Sequence, residues 1–126
     1  MIAQINRVKE FHEKFKQPIS TLPELPNDDR RTLRRELLRE EYTEYTTAET
    51  ANDLVEIADA LADMVVIICG TALEYGIPLD IILKEVHRSN MSKLDNNGQP
   101  MYRDDGKVAK GPNYSPPNIK DILKRG

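Results

Sequence analysis

An all-α fold is what this sequence predicts, on three observations. Apolar residues recur at helical spacing from the N-terminus, and side chains suited to helix caps and stops (Asn27, Asn52, Gly76) divide the chain into helix-length stretches. The composition, 39% apolar and 31% charged, suits helices that bury one face and solvate the other, and it excludes wholesale disorder. The length of 126 residues fits one domain with its own core, so residues 1–126 are read as a single unit.

The first helix is predicted from Ile2, Ile5, Val8, Phe11, His12 and Phe15, ending near Lys16. Pro18, Pro23 and Pro26 then enforce a loop. Asn27 is a good N-cap, Asp28 and Asp29 suit the positive end of the helix dipole, and a second helix should run to about Ala48. A third, about Asp53 to Tyr75, is capped by Asn52 and stopped by Gly76. After Asp63 it is apolar on every side, from Met64 through Cys69, so it must be covered all round. A chain this short covers such a helix poorly alone, and a second protomer is expected to help. Pro78 fits the first turn of a fourth helix reaching Met91 to Leu94. Residues 95–118 lose helical periodicity and read as an ordered loop or small hairpin, with Asp104, Asp105 and Gly106 turning between Met101–Arg103 and Lys107–Ala109. A short helix, residues 119–125, closes the chain.

Several function classes drop out. With 18 basic and 21 acidic residues the net charge is −3, so no dominating basic surface exists for nucleic acid. One cysteine, Cys69, permits neither an intrachain disulfide nor a multi-cysteine zinc site and fits a reducing cytoplasm; it is expected in the core. The N-terminal stretch lacks the continuous apolar segment of a secretion signal, and the longest apolar run falls short of the ~20 residues that cross a bilayer. A soluble cytoplasmic protein with no membrane partner is the expectation.

The chemistry lies in two acidic stripes. Glu40, Glu41 and Glu44 fall within about a quarter turn of one another on the second helix, on a stripe shared with Leu33 and Leu37. They therefore continue the face that should point inward. Glu56, Asp59 and Asp63 do the same on the third helix, with Ala60, Ile67 and Gly70 extending their stripe. Acids at such spacing on one helix are commonly just a solvated face. Two inward stripes, brought face to face by the short Glu49–Asn52 connection, instead crowd like charges where they cost several kcal/mol unless cations compensate them. Carboxylate oxygens without cysteine or a nearby histidine suit a hard ion, Mg2+, with Mn2+ able to substitute. A di-iron or di-manganese bundle is the rival, but it needs Glu-x-x-His, and His12 and His87 each follow a lysine three residues earlier.

Phosphate ligands are sought beyond the acids. The apolar face of the fourth helix, Leu79, Ile82 and Val86, continues into Asn90 and Lys93, a donor amide and a point charge for phosphate oxygens; Lys93 serves equally as a cation at the helix C-terminus. Tyr102, Lys107 and Lys110, with Arg103 and Tyr114, suit a lid over a base or phosphates, or else a hairpin pinning the bundle's end. Neither a GxxxxGK[ST] loop nor a GxGxxG turn is present, so metals must do the work of a glycine-rich phosphate cradle.

On these residues the chain resembles the all-α nucleoside triphosphate pyrophosphohydrolases, the superfamily of MazG and phosphoribosyl-ATP pyrophosphohydrolase. Glu40-Glu41-Tyr42-Thr43-Glu44 matches its Glu-Glu-x-x-Glu motif fully, and Glu56 to Asp63 is the acidic helix that follows. Glu85 to Lys93, then Asp105-Gly106-Lys107-Val108 and Lys110-Gly111-Pro112, is similar to a subgroup that includes dUTP-preferring members. The chain departs from the pattern at Ala60, where the family has the glutamate of its second motif; Glu56 or Asp59 is the substitute. The resemblance implies a four-helix-bundle-like MazG fold completed by dimerisation, as a homodimer or dimer of dimers. It implies Mg2+-dependent cleavage of a nucleoside triphosphate between the α and β phosphates, as nucleotide-pool housecleaning. Glu41, Glu44 and Asp63, with Glu56 or Asp59, would hold the metal, and Glu40 would orient or deprotonate the attacking water. Phosphoribosyl-ATP hydrolysis is the alternative activity, and a non-catalytic helical dimerisation or regulatory module, its site decayed at Ala60, is the alternative outside catalysis.

Overall fold

The computed structural model describes residues 1–125 as five helices: α1 (Ile2–Lys14), α2 (Asp28–Thr50), α3 (Leu54–Tyr75), α4 (Leu79–Met91) and α5 (Ile119–Arg125). No strand occurs among the described residues, only one bridged pair, Tyr102 with Val108, so the fold is all-α as expected. No described helix is long and apolar enough to cross a membrane. The helices fall into two compact units, α1–α3 within Met1–Pro78 and α4–α5 within Leu79–Arg125.

In the first unit α2 packs along α3, and α1 packs on α3. Contacts run in opposite order along the two helices, Arg30 with Glu74, Arg34 with Thr71 and then with Ile67, so α2 and α3 are antiparallel. Asn27 caps α2 as its sequence suggests, its side-chain oxygen accepting from the Arg30 N–H at 2.9 Å. At the start of α3 the cap is Asp53, which accepts from the Glu56 N–H at 3.2 Å; Asn52, the expected cap, instead takes a left-handed conformation (φ 54°) in the bend between the helices. Gly76 ends α3 at φ 67°, and a side chain there would run into the Leu22 carbonyl of the loop that crosses this end. That loop is stitched on by the Ser20 and Glu24 N–H groups, which donate to the Leu73 and Tyr75 carbonyls.

The inward stripe of α2 is rotated from the expected one. Arg34 and Ala48 are buried and Leu37 and Glu41 half-buried, whereas Leu33 is exposed. The reason is Glu74 of α3, whose side chain is fully buried and must be answered. Arg30 grips it through two hydrogen bonds of 2.9 and 2.8 Å, and Arg34 adds a third at 3.2 Å. Arg34 also donates to the Thr71 hydroxyl (3.0 Å) and the Ile67 carbonyl (2.8 Å), so one planar guanidinium spans two turns of α3. Gly70 faces this group: a Cβ there would lie 2.6 Å from Arg34 Nη2 and 2.8 Å from His12 Nε2. In α1 only Ile5, Val8 and His12 of the expected stripe are buried, and Ile2, Phe11 and Phe15 stay exposed. His12 is held by the Pro18 carbonyl at 3.0 Å from Nδ1. Cys69 lies in the core. Not all of the apolar run of α3 is covered within the chain, because Leu61, Val65, Val66 and Ile68 remain exposed.

In the second unit α4 begins at Leu79, so Pro78 precedes its first turn and does not enter it. The Glu85 carboxylate takes two hydrogen bonds from Arg88 and one from the Asn118 N–H, which holds it well below the usual carboxylate range and ties α4 to the start of α5. The expected hairpin is present. Arg103 N–H donates to the Lys107 carbonyl and Ala109 N–H to that of Met101, around a turn with Gly106 at φ 82°.

Glu74→Ala leaves Arg34 buried without its counter-charge, so the variant should lose about 3–5 kcal/mol of stability. Urea unfolding checks this: the midpoint falls with the slope unchanged, and a loss of under about 1 kcal/mol would show the pair to be a bystander.

Candidate metal centre

Two turns along α2 from Arg34 lies Glu41, and one turn along α3 from Ile67 lies Asp63. The antiparallel seam therefore brings these acids together immediately beyond the arginine clamp. Glu41, Glu44 and Asp63 each present a carboxylate oxygen, and the three oxygens lie within 4.8 Å of one another. Glu41 and Asp63 are half-buried, while Glu44 is exposed at the rim. Oε2 of Glu41 is buried and accepts no hydrogen bond from the protein. None of the three forms an ion pair among the described residues.

The electrostatics follow from that crowding. Burial pushes the Glu41 carboxyl up to about 7, helped by the hydrogen bond with Glu44 and the charges of Glu44, Asp63 and Asp59. Asp63 is raised as well, by burial first and then by Asp59 and Glu44. Without a cation the cluster thus holds a proton near neutrality. Orphaned, all-oxygen, anionic donors at this separation fit a hard divalent cation, which would satisfy Glu41 Oε2 and cancel the mutual repulsion.

The other sequence candidates divide clearly. Asp59 is exposed but close enough for its charge to act on both Glu41 and Asp63. Glu56 is exposed and lies outside the trio; with Glu44, Thr43, Thr47, Ala51 and Asp53 it lines a neighbouring recess of about 280 Å³. Glu40 is exposed and also outside the trio, because the inward stripe passes through Glu41 one residue later. Ala60 is 2% exposed, so where the family pattern has a glutamate this chain has a methyl sealed in the core.

In the second unit Lys93 is half-buried, its carbonyl accepting from the Gly111 N–H at 2.9 Å. Asn90 is exposed, and the buried line of α4 runs from Ile82 to Ser89, so the expected continuation into Asn90 is displaced by one residue. Ser89 carries no apolar signal in the sequence, and helical spacing from Ile82 through Val86 points to Asn90 in its place. Tyr102 sits in the hairpin's bridged pair. Lys107 N–H bonds the Asp105 carboxylate at 3.0 Å, and Lys110 lies 4.7 Å from the centre of the Tyr114 ring. Arg34 escapes the pattern as well, being a charge at a position where hydropathy asks for a leucine.

Comparison with known proteins places this geometry. The profile of the phosphoribosyl-ATP pyrophosphohydrolase family matches residues 8–90, a span that contains α2, α3 and the whole acidic cluster. A crystal structure from Exiguobacterium sp. 255-15, provisionally described as an NTP pyrophosphohydrolase, is similar at 25% identity with a TM-score of 0.51, over 97% of this chain and 92% of that one. Uncharacterized protein L479 of Acanthamoeba polyphaga mimivirus is 28% identical over 121 residues. That match takes in 93% of this chain but only 45% of the viral protein, so the chain spans about half the length of this relative. By its family match and its acid-lined helix pair, the chain belongs to the phosphoribosyl-ATP pyrophosphohydrolase family.

Proposed function

We propose that this chain hydrolyses a nucleoside triphosphate to the monophosphate and pyrophosphate with Mg2+, or Mn2+ in its place, as nucleotide-pool housecleaning in the cytoplasm. The observation that carries the reading is the convergence of Glu41, Glu44 and Asp63 on one point of the α2–α3 seam, with a Glu41 oxygen left without a partner. A similar solved protein described as an NTP pyrophosphohydrolase supports it. Glu41, Glu44 and Asp63 would hold the metal, with Asp59 the nearest further carboxylate and Glu56 reachable through Glu44's recess. A divalent ion so held supplies charge to offset that building on the phosphates. Glu40 remains exposed beside this group and is the carboxylate available to orient or deprotonate water. Asn90 and Lys93 are proposed for phosphate oxygens, and Tyr102, Lys107 and Lys110 for a lid.

A deoxyuridine or other pyrimidine nucleotide is the favoured substrate, on the likeness of Glu85 to Lys93 and the Asp105 to Pro112 string to the dUTP-preferring subgroup. Phosphoribosyl-ATP is the second reading, favoured by the family whose profile matches. Incubation of the purified protein with Mg2+ and a nucleotide panel that includes phosphoribosyl-ATP tests both. The expected products are pyrophosphate and a monophosphate, with dUTP consumed fastest. Release of orthophosphate alone rejects cleavage at the α–β bond, and no turnover of any nucleotide favours the non-catalytic module.

The second expectation is a pH signature. Because Glu41 binds its proton more tightly folded than unfolded, the metal-free protein should lose stability as pH rises from the ordinary carboxylate value toward 7, then level off. Mg2+ should restore progressively more of it over the same interval. Glu41→Gln removes the titrating group, so melting in EDTA should become flatter with pH while Mg2+ stabilisation and turnover vanish and the helical signal stays. A variant that keeps both turnover and the wild-type slope counts against Glu41 as a ligand.

The third concerns assembly. Leu61, Val65 and Ile68 leave an apolar strip of α3 exposed in a single chain, and we assign it to a second copy, forming a homodimer that two such pairs can extend to a tetramer. Sedimentation should return at least twice the chain mass, and Val65→Glu should shift it toward the monomer. A wild-type monomer at micromolar concentration refutes the assignment.

A further inference from the structure

We propose that Arg34 is a positioning residue for the acidic cluster: its guanidinium fixes the axial register of α2 against α3 and so holds Glu41 and Glu44 opposite Asp63. The inference rests on the metal reading above and names what sets the geometry of that site.

Ridge-into-groove packing of two helices has repeated minima, and sliding by one turn, about 5.4 Å, swaps one set of contacts for a similar one. Apolar contacts discriminate such slips weakly here, because the seam facing Arg34 is built of Gly70, Thr71 and a half-buried Ile67. The cluster itself does not favour the correct register, since it sets carboxylate oxygens of Glu41, Glu44 and Asp63 within 4.8 Å of one another. The short connection 51–53 ties the helices at one end of the seam, so the hold on the far side of the cluster must come from elsewhere. Arg34 is built for this: three of its nitrogens donate to three separate acceptors at positions 67, 71 and 74 of α3, at 2.8, 3.0 and 3.2 Å. A slip of one turn would break all three, and a buried guanidinium tolerates no such loss. The nearest of these anchors, Ile67, stands one turn from Asp63, so little length of helix lies between clamp and cluster. Arg30 adds a hold at Glu74 alone, and its remaining contact is to Gln17 in the preceding loop, so the anchors nearest the cluster are those of Arg34.

Arg34→Lys separates register from charge. Lysine keeps the positive charge beside Glu74 but, as a point charge without the planar fork, cannot reach all three acceptors. Its control is Val8→Ala, a buried truncation in α1 that lowers stability without touching the clamp. Two readouts are compared at matched folded fraction. In the first, Glu44→Cys and Asp63→Cys are introduced together and bridged with a short bis-maleimide; Cys69, being buried, does not compete. Bridging yield should drop severalfold with Arg34→Lys and stay level with Val8→Ala. In the second, the Mn2+ dissociation constant of Arg34→Lys, with native acids, should rise about tenfold to a hundredfold, and that of Val8→Ala should not move. Unchanged bridging in Arg34→Lys overturns the register role, as does an equal loss in Val8→Ala. Reduced bridging with unchanged Mn2+ affinity overturns the link from register to site. Wild-type protein that bridges well yet binds no Mn2+ overturns the metal reading instead, and the bridging result then decides the register role alone.

Discussion

A carboxylate with no access to water, Glu74, sets the terms for the helical unit that carries the site. Burying that charge alone would be prohibitive, and two arginines from α2 make it tolerable by enclosing it with three charge-assisted hydrogen bonds. The same arrangement explains features that otherwise look unrelated. It accounts for the rotation of α2 that leaves Leu33 in solvent, for the glycine at position 70 beneath the guanidinium, and for the attachment of the loop after α1 through Gln17. Replacing the whole network by well-packed apolar residues would cost the fold little. What an ionic clamp offers in exchange is a single geometry, and the residues next along the seam are the converging acids Glu41, Glu44 and Asp63.

Charge is distributed unevenly along this helix pair. At one end cations and anion are matched, and Arg30, Arg34 and Glu74 satisfy one another. At the other, Glu41, Glu44, Asp59 and Asp63 gather with no cationic side chain paired to them among the described residues. Arginine is plentiful on α2, but its side chains at 30 and 34 are committed to Glu74, and Arg39 pairs with Glu36. The unbalanced end is therefore a property of the pairing pattern, since the chain as a whole carries only a modest net charge of −3.

How much of this could be read in advance depends on whether the determining interaction was local. Asn27 as a cap, Gly76 as a stop and Asp104 to Gly106 as a turn are decided within a few residues, and the structure keeps all three. Asn52 and Asp53 are both competent caps at adjacent positions. The choice between them came from the bend, which needed a left-handed residue that asparagine supplies more cheaply. The inward face of α2 was misplaced by one residue because leucines at 33, 37 and 38 allow two stripes, and the deciding group lies 40 residues away in sequence from Arg34. Within the site, spacing alone singled out the acids of both helices, yet it could not separate Glu41 from Glu40 or Asp63 from Glu56. Those distinctions depend on the rotation of α2 and on its register against α3.

Ala60 bears on what the cluster can hold. Its methyl is sealed within the core, so the missing family carboxylate is not replaced by an open gap; the helices close over the position. Three convergent oxygens remain, with a fourth carboxylate, Asp59, acting on them by charge. Fewer anions mean less repulsion to overcome before an ion binds, and also less attraction for it. At Glu41 burial and its acidic neighbours raise the carboxyl to about 7. With a sealed alanine at position 60, the acids that remain on the seam depend for their placement on contacts outside the cluster, as the clamp at Arg34 supplies.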